Sequence, residues 1–253
     1  MAPSVARKLG VVSDRAVNRR AVPLPPYLEG VLDTALDTAL RVQRPVIVAY
    51  LNRVRSRRRD ADPVDVVRML ERRYRTAVTA VGAASGGVAA VPGAGTGVSI
   101  ATSALQISAF IEVTALFGLA MAEVHGLRTD DPHVRRALVL AILVGDARVE
   151  LAEIAGADAA SGWGRVLAQH APDETVRRFN NTLGKHVVAR FGTKQQALAL
   201  GRALPFGVGA SIGAVGNAVM ARSVISASRR VFGTPPERLP PRVIDGKLVE
   251  PED

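Results

Sequence analysis

Two long stretches of this chain carry almost no charge, and they restrict its fold more than any other feature. From Thr76 to Ala122, 47 residues hold one charge, Glu112, and the 19 residues from Ala203 to Ala221 hold none. A surface helix of a soluble protein normally shows charge on one face, so such segments are either buried on all sides or turned toward lipid. Pro92 and the glycines after it divide the first stretch into two arms, roughly 76–90 and 98–122, which predicts an apolar, glycine-rich helical hairpin. Gly82 with Gly86, Gly93 with Gly97, and Gly209 with Gly213 are each spaced by four. That small-xxx-small spacing lets helix backbones approach closely, so these six glycines are the expected packing positions.

A full membrane span needs about 20 strongly apolar residues. The Ala, Gly, Ser and Thr content of each arm and the charge of Glu112 weigh against one, so shallow or reversible membrane contact is the stronger expectation.

The remainder has helical periodicity. Leu28, Val31, Leu32, Ala35, Leu36, Ala39 and Leu40 form one apolar face, and Pro45 should interrupt it before the pattern resumes at Val46, Ile47, Tyr50, Leu51 and Val54. Asp62-Pro63 and Asp131-Pro132 each pair a capping carboxylate with a first-turn proline, opening helices through Val66, Val67, Leu70 and Tyr74, and through Val134, Leu138 and Ile142. A further helix from Asp173 aligns Val176, Phe179, Leu183 and Val187. Thr193 and Gln196 have capping-box spacing for a helix that ends near Pro205. No stretch alternates strictly, and aromatics are only 4% of the chain, so Ala, Val and Leu must fill the interior by helix packing. The expected fold is all-α: a multi-helix bundle around the hairpin, spanning 26–233, with a flexible basic arm at 1–25 and a Pro-rich extended tail at 234–253.

With no cysteine, disulfides, thiolate metal sites and thiol nucleophiles are excluded. The first twenty residues lack the apolar core of a secretory signal, which leaves the cytoplasm as the expected compartment. Net charge is +10, and the basicity is concentrated early: residues 1–75 hold 16 Lys and Arg against 8 Asp and Glu. The densest run contains Arg53, Arg55, Arg57, Arg58 and Arg59. Lipid phosphates are the favoured partner, at about 1 kcal/mol per basic residue near an anionic leaflet. Nucleic acid is less favoured, because no aromatics interleave for base stacking.

No catalytic, cofactor or metal motif emerges. The run Gly93 to Ser99 suggests a phosphate loop, but the lysine such a loop needs is missing throughout 9–184, and turn glycines explain it better. His125, His133, His170 and His186 show no metal spacing, and Asp146, Glu150 and Glu153 read as a solvated helix face. Glu112, His125 and Asn217 are the remaining polar candidates.

The stretch Leu116-Phe117-Gly118-Leu119-Ala120-Met121-Ala122-Glu123-Val124-His125-Gly126, followed by Asp130-Asp131-Pro132, resembles the EcsC family. So does Leu204-Pro205-Phe206-Gly207-Val208-Gly209-Ala210-Ser211-Ile212-Gly213, with Asn217, Ala227 and Phe232 after it. His125 stands where that family often has Tyr. The resemblance covers about 65–233 and implies an all-helical fold in a membrane-transport setting, with no catalytic residue. The expected function is that of a membrane-associated accessory or regulatory protein. It would lie peripheral to, or partly inserted in, the inner membrane, meet its anionic surface, and have a transporter or other integral membrane protein as a further partner. A homo-oligomer is also compatible. The alternatives are a soluble enzyme with Glu112 or the 146–153 carboxylates as acids, and a nucleic-acid binder.

Overall fold

The computed structural model describes residues 26–41, 44–57, 62–89, 96–127, 129–144, 162–170, most positions of 173–187, 208–240, 242–244 and 247–249. The bundle is all-α. Its helices are α1 (Pro26–Leu40), α2 (Arg44–Arg57), α3 (Pro63–Ala89), α4 (Thr96–Val124), α5 (Pro132–Val144), α6 (Trp163–His170) and α7 (Val208–Phe232), and the described positions of 173–187 are also helical.

The helix starts follow from the capping chemistry. Asp62 Oδ1 accepts from Val64 N at 2.8 Å, while its carbonyl accepts from Val66 N at 3.1 Å. Asp131 repeats the device, with His133 N donating to Oδ1 at 2.7 Å and Arg135 N to the carbonyl at 3.0 Å. In both cases the proline that follows stands where its missing N–H costs nothing. α1 ends at Leu40 and α2 begins at Arg44, with Pro45 in its first turn. The Asp62 helix and the first arm of the apolar stretch are one continuous helix, α3.

α4 ends in a Schellman turn. Leu127 N reaches back to Ala122 O and Gly126 N to Glu123 O, with Gly126 at φ 70°. Only a residue without a Cβ takes that conformation cheaply.

α4 is the axis of the bundle and packs against α1, α2, α3, α5 and α7. By length and composition its segment Ala104–Val124 could cross a membrane, yet 67% of that segment's most apolar window is buried inside the protein. The all-sided burial that its missing charges allow is therefore largely supplied by other helices. From Ala137 to Val144, α5 is buried at every position. The predicted faces fill the core: Val66, Val67, Leu70 and Tyr74 from α3, then Val176, Phe179, Leu183 and Val187 from 173–187. Trp163 meets Phe179 edge-on at 5.5 Å and fastens that last segment to α6. Arg136 ties α5 to α1 through Asp37 at 2.8 Å.

Beyond α7 the chain carries one short antiparallel ribbon, β1 (Arg242–Ile244) and β2 (Lys247–Val249), with Val243 opposite Leu248. Apart from this ribbon the described residues contain no strand.

Candidate functional site

The most extensive helix contact joins α3 to α7, and polar groups set its register. Buried Asn217 of α7 donates from Nδ2 to the Val78 carbonyl of α3 at 2.9 Å, and its Oδ1 accepts from Gln106 Nε2 of α4 at 3.4 Å. Lower in the same seam Arg229 grips Glu71, Nε to Oε1 at 2.7 Å and Nη2 to Oε2 at 2.6 Å. The carboxylate holds the guanidinium proton more firmly than usual. α7 therefore runs antiparallel to α3. One turn beyond Val78 is Gly82, and one turn before Asn217 is Gly213, so these two glycines stand at the same level. Gly82 is buried. Gly86, Gly97 and Gly209 lie on helices α3, α4 and α7, whereas Gly93 falls outside the described residues.

This register brings the charge-free parts of three helices to one end of the bundle: the end of α3, the start of α4 and the start of α7. No ionisable residue occurs in 76–111 or 203–221. At about 1.5 Å per residue, the α3 portion from Thr76 to Ala89 extends about 20 Å. Large apolar side chains are exposed around this end, Leu105 at 70%, Val215 at 65% and Val219 at 53%. Exposed arginines flank it, Arg72, Arg73 and Arg75 on α3 and Arg222 on α7. In sequence they are ordinary polar-face positions of apolar helices, less dense than the run at 53–59. Of that run, Arg53 is exposed on α2, Arg55 and Arg57 belong to the same helix, and Arg58 and Arg59 fall outside the described residues.

A second feature lies nearer the charged end. Helices α2, α3 and α4 enclose an apolar groove of about 370 Å³. Its walls include Ile47 of α2, Leu70 and Ala77 of α3, and Val113, Leu116 and Phe117 of α4. The Tyr74 ring stacks on Phe117 with centroids 4.5 Å apart, and its hydroxyl turns inward to Thr114 Oγ1 at 2.9 Å. Thr114 in turn donates to Phe110 O at 2.7 Å. Burial raises the Tyr74 hydroxyl above the ordinary phenol range, so it stays protonated and serves as a fixed donor. Arg73 stands at the groove mouth, hydrogen-bonded to the Tyr50 hydroxyl and 5.5 Å from that ring's centre.

The three polar candidates do not converge. Glu112 is exposed on α4, Asn217 is part of the α3–α7 seam, and His125 is buried at the end of α4. His125 Nδ1 bonds Met121 O at 2.8 Å, and the ring packs 5.4 Å from Phe232. Burial lowers its basicity, the Met121 and Gly233 backbone partly oppose this, and the charge of Arg165 adds to the lowering. Nε2 is buried with no partner in hydrogen-bonding geometry. A neutral ring with its proton on Nδ1 fits that arrangement and acts as a helix cap. No group of three or more His, Asp or Glu among the described residues could hold a metal ion. Asp146, Glu150, Glu153 and the Thr193–Gln196 pair fall outside the described residues. No family model matches the chain, and neither the curated proteins nor the solved structures contain a match to it.

Proposed function

We propose that this is a membrane-associated helical accessory or regulatory protein that enters one leaflet with the uncharged end of its bundle. The observation carrying this reading is the segregation of charge along the α3–α4–α7 unit. One end is without ionisable residues and exposes Leu105, Val215 and Val219, and arginines border it. An exposed apolar surface rimmed by polar residues marks an interaction face. Its length supports insertion over spanning: about 20 Å reaches through one half of a hydrocarbon core about 30 Å thick, but not across it. The arginines at its border would meet lipid phosphates, as would Arg53 and the rest of the 53–59 run. Membership of the EcsC family and a transport-linked setting on the cytoplasmic side belong to the same proposal, resting on the residues quoted above.

Vesicle flotation tests it. The full chain should rise with anionic vesicles and much less with neutral ones, and added salt should weaken binding, because exposed charges are screened within about 10 Å at 0.1 M. Leu105→Glu and Val215→Glu alter exposed side chains and should release the protein at any salt concentration. Wild-type protein that stays at the bottom of the gradient, or Glu variants that float like wild type, would overturn the reading.

A further inference from the structure

We propose that the groove between α2, α3 and α4 binds a single acyl chain that ends in an anionic head, with Arg73 holding the head. Free fatty acids and the chain of an anionic lysophospholipid share this chemistry. The site adjoins the uncharged end, whose arginine border includes Arg73, but it opens between other helix faces, and its binding is measured without vesicles.

Size, lining and charge each restrict the occupant. The 370 Å³ volume lies within the range of about 300–1,000 Å³ typical of small-molecule sites. A water molecule occupies about 30 Å³ and a methylene is of similar size, so there is room for about a dozen carbons. The walls are Ile47, Leu70, Ala77, Val113, Leu116 and Phe117. The hydroxyl of Tyr74, which also lines the groove, is already engaged with Thr114. A polar ligand would leave its hydrogen-bonding groups unmatched against such walls, whereas an alkyl chain would not.

Among the described residues that line the groove, Arg73 is the charged one. Arg73 is exposed, and among the described residues no carboxylate pairs with it, Glu112 included. The preceding Glu71 is buried and engaged by Arg229. Tyr50 orients the guanidinium, leaving donors of its planar fork for a carboxylate or phosphate.

The test uses the full chain without vesicles and displacement of a fluorescent fatty-acid probe, with every competitor below its micelle concentration. Affinity should rise about fourfold per methylene from octanoate upward and level off near twelve carbons, when the groove is full. Dodecanoate should outcompete dodecyltrimethylammonium by about tenfold or more, and Arg73→Gln should bring that ratio close to one. Ala77→Phe should abolish probe displacement. Exposed Arg73 can be changed without touching the core, so the ratio remains decisive if Ala77→Phe fails to fold. Dodecanoate and a twelve-carbon lysophosphatidylglycerol, compared directly, distinguish the two sources of the chain. A failure of both to displace the probe, or a head-group preference unchanged in Arg73→Gln, would overturn the proposal. Neither result tests insertion, which flotation of Leu105→Glu and Val215→Glu reads with Arg73 unchanged.

Discussion

Arg229 holds Glu71 through two parallel hydrogen bonds, and the two partners differ sharply in exposure: the Arg229 side chain is 64% accessible and that of Glu71 only 9%. Loss of the arginine strands a buried carboxylate, whereas loss of both partners strands nothing. Arg229→Met should cost about 1.5–3 kcal/mol, the lower part of that range being favoured because water screens the arginine. The double variant Glu71→Leu/Arg229→Met should be more stable than Arg229→Met alone. Urea unfolding of wild type, Arg229→Met and the double variant measures this, and a double variant less stable than Arg229→Met would contradict the asymmetry.

Gly164 and Gly118 should respond differently to alanine. A Cβ on Gly164 would stand 2.8 Å from the Val231 carbonyl oxygen, which belongs to the backbone of α7 and cannot step aside. Overpacking of this kind costs about 1–3 kcal/mol. A Cβ on Gly118 would approach Ile142 Cδ1 at 2.5 Å, a terminal methyl that can rotate away. The helix-propensity gain of about 1 kcal/mol then largely offsets the contact. Melting temperatures should fall clearly for Gly164→Ala and little for Gly118→Ala.

Asn217 works because it donates as well as accepts. Asn217→Ala should lose about 1–3 kcal/mol through the missing bond to Val78 O. Asn217→Asp should lose more at neutral pH, since a carboxylate cannot donate to that carbonyl and brings a charge into the core. Acidification should restore part of the difference between the Asp and Ala variants. An Asp variant as stable as wild type at neutral pH would remove Asn217 from the seam's energetics.

His125 predicts a stability change with pH. Burial depresses its basicity in the folded state, so below the ordinary histidine value of 6.5 the unfolded chain takes up a proton that the folded chain refuses. Stability from this group is complete above that value and declines as pH falls toward the folded-state value, at up to about 1.4 kcal/mol per pH unit. His125→Phe should flatten this part of the profile when compared with wild type between neutral and mildly acidic pH. Identical profiles for the two proteins would mean that His125 binds its proton equally well in the folded and unfolded chain.

What could be read from the sequence was local. Asp62-Pro63 and Asp131-Pro132 announce helix starts because the capping bonds span only two to four residues. The face of Val176, Phe179, Leu183 and Val187 is legible because one period fixes it. Glu71 looks like any solvated glutamate until Arg229, 158 positions away, is placed beside it. The groove has no contiguous signature, since three helices contribute to it and its charged mouth is a single Arg73 among several arginines. Gly164 gives no warning either, because its crowding comes from Val231. The β1–β2 ribbon does have a local signature, because Asp245-Gly246 between short apolar runs is a hairpin dipeptide within the Pro-rich tail.

The α3–α7 seam also sets a timetable for the newborn chain. Ribosomes add about 5–20 residues per second, so α7 follows α3 by roughly 7–30 s. Throughout that interval α3 lacks its largest neighbour, and Glu71 has no Arg229. Contacts between such distant segments slow folding, because loop closure precedes any gain from them. A chain halted before α7 would therefore leave open the α3 face that α7 covers, including part of the uncharged stretch from Thr76 to Ala89, which makes this intermediate a natural client for a chaperone or for the membrane itself.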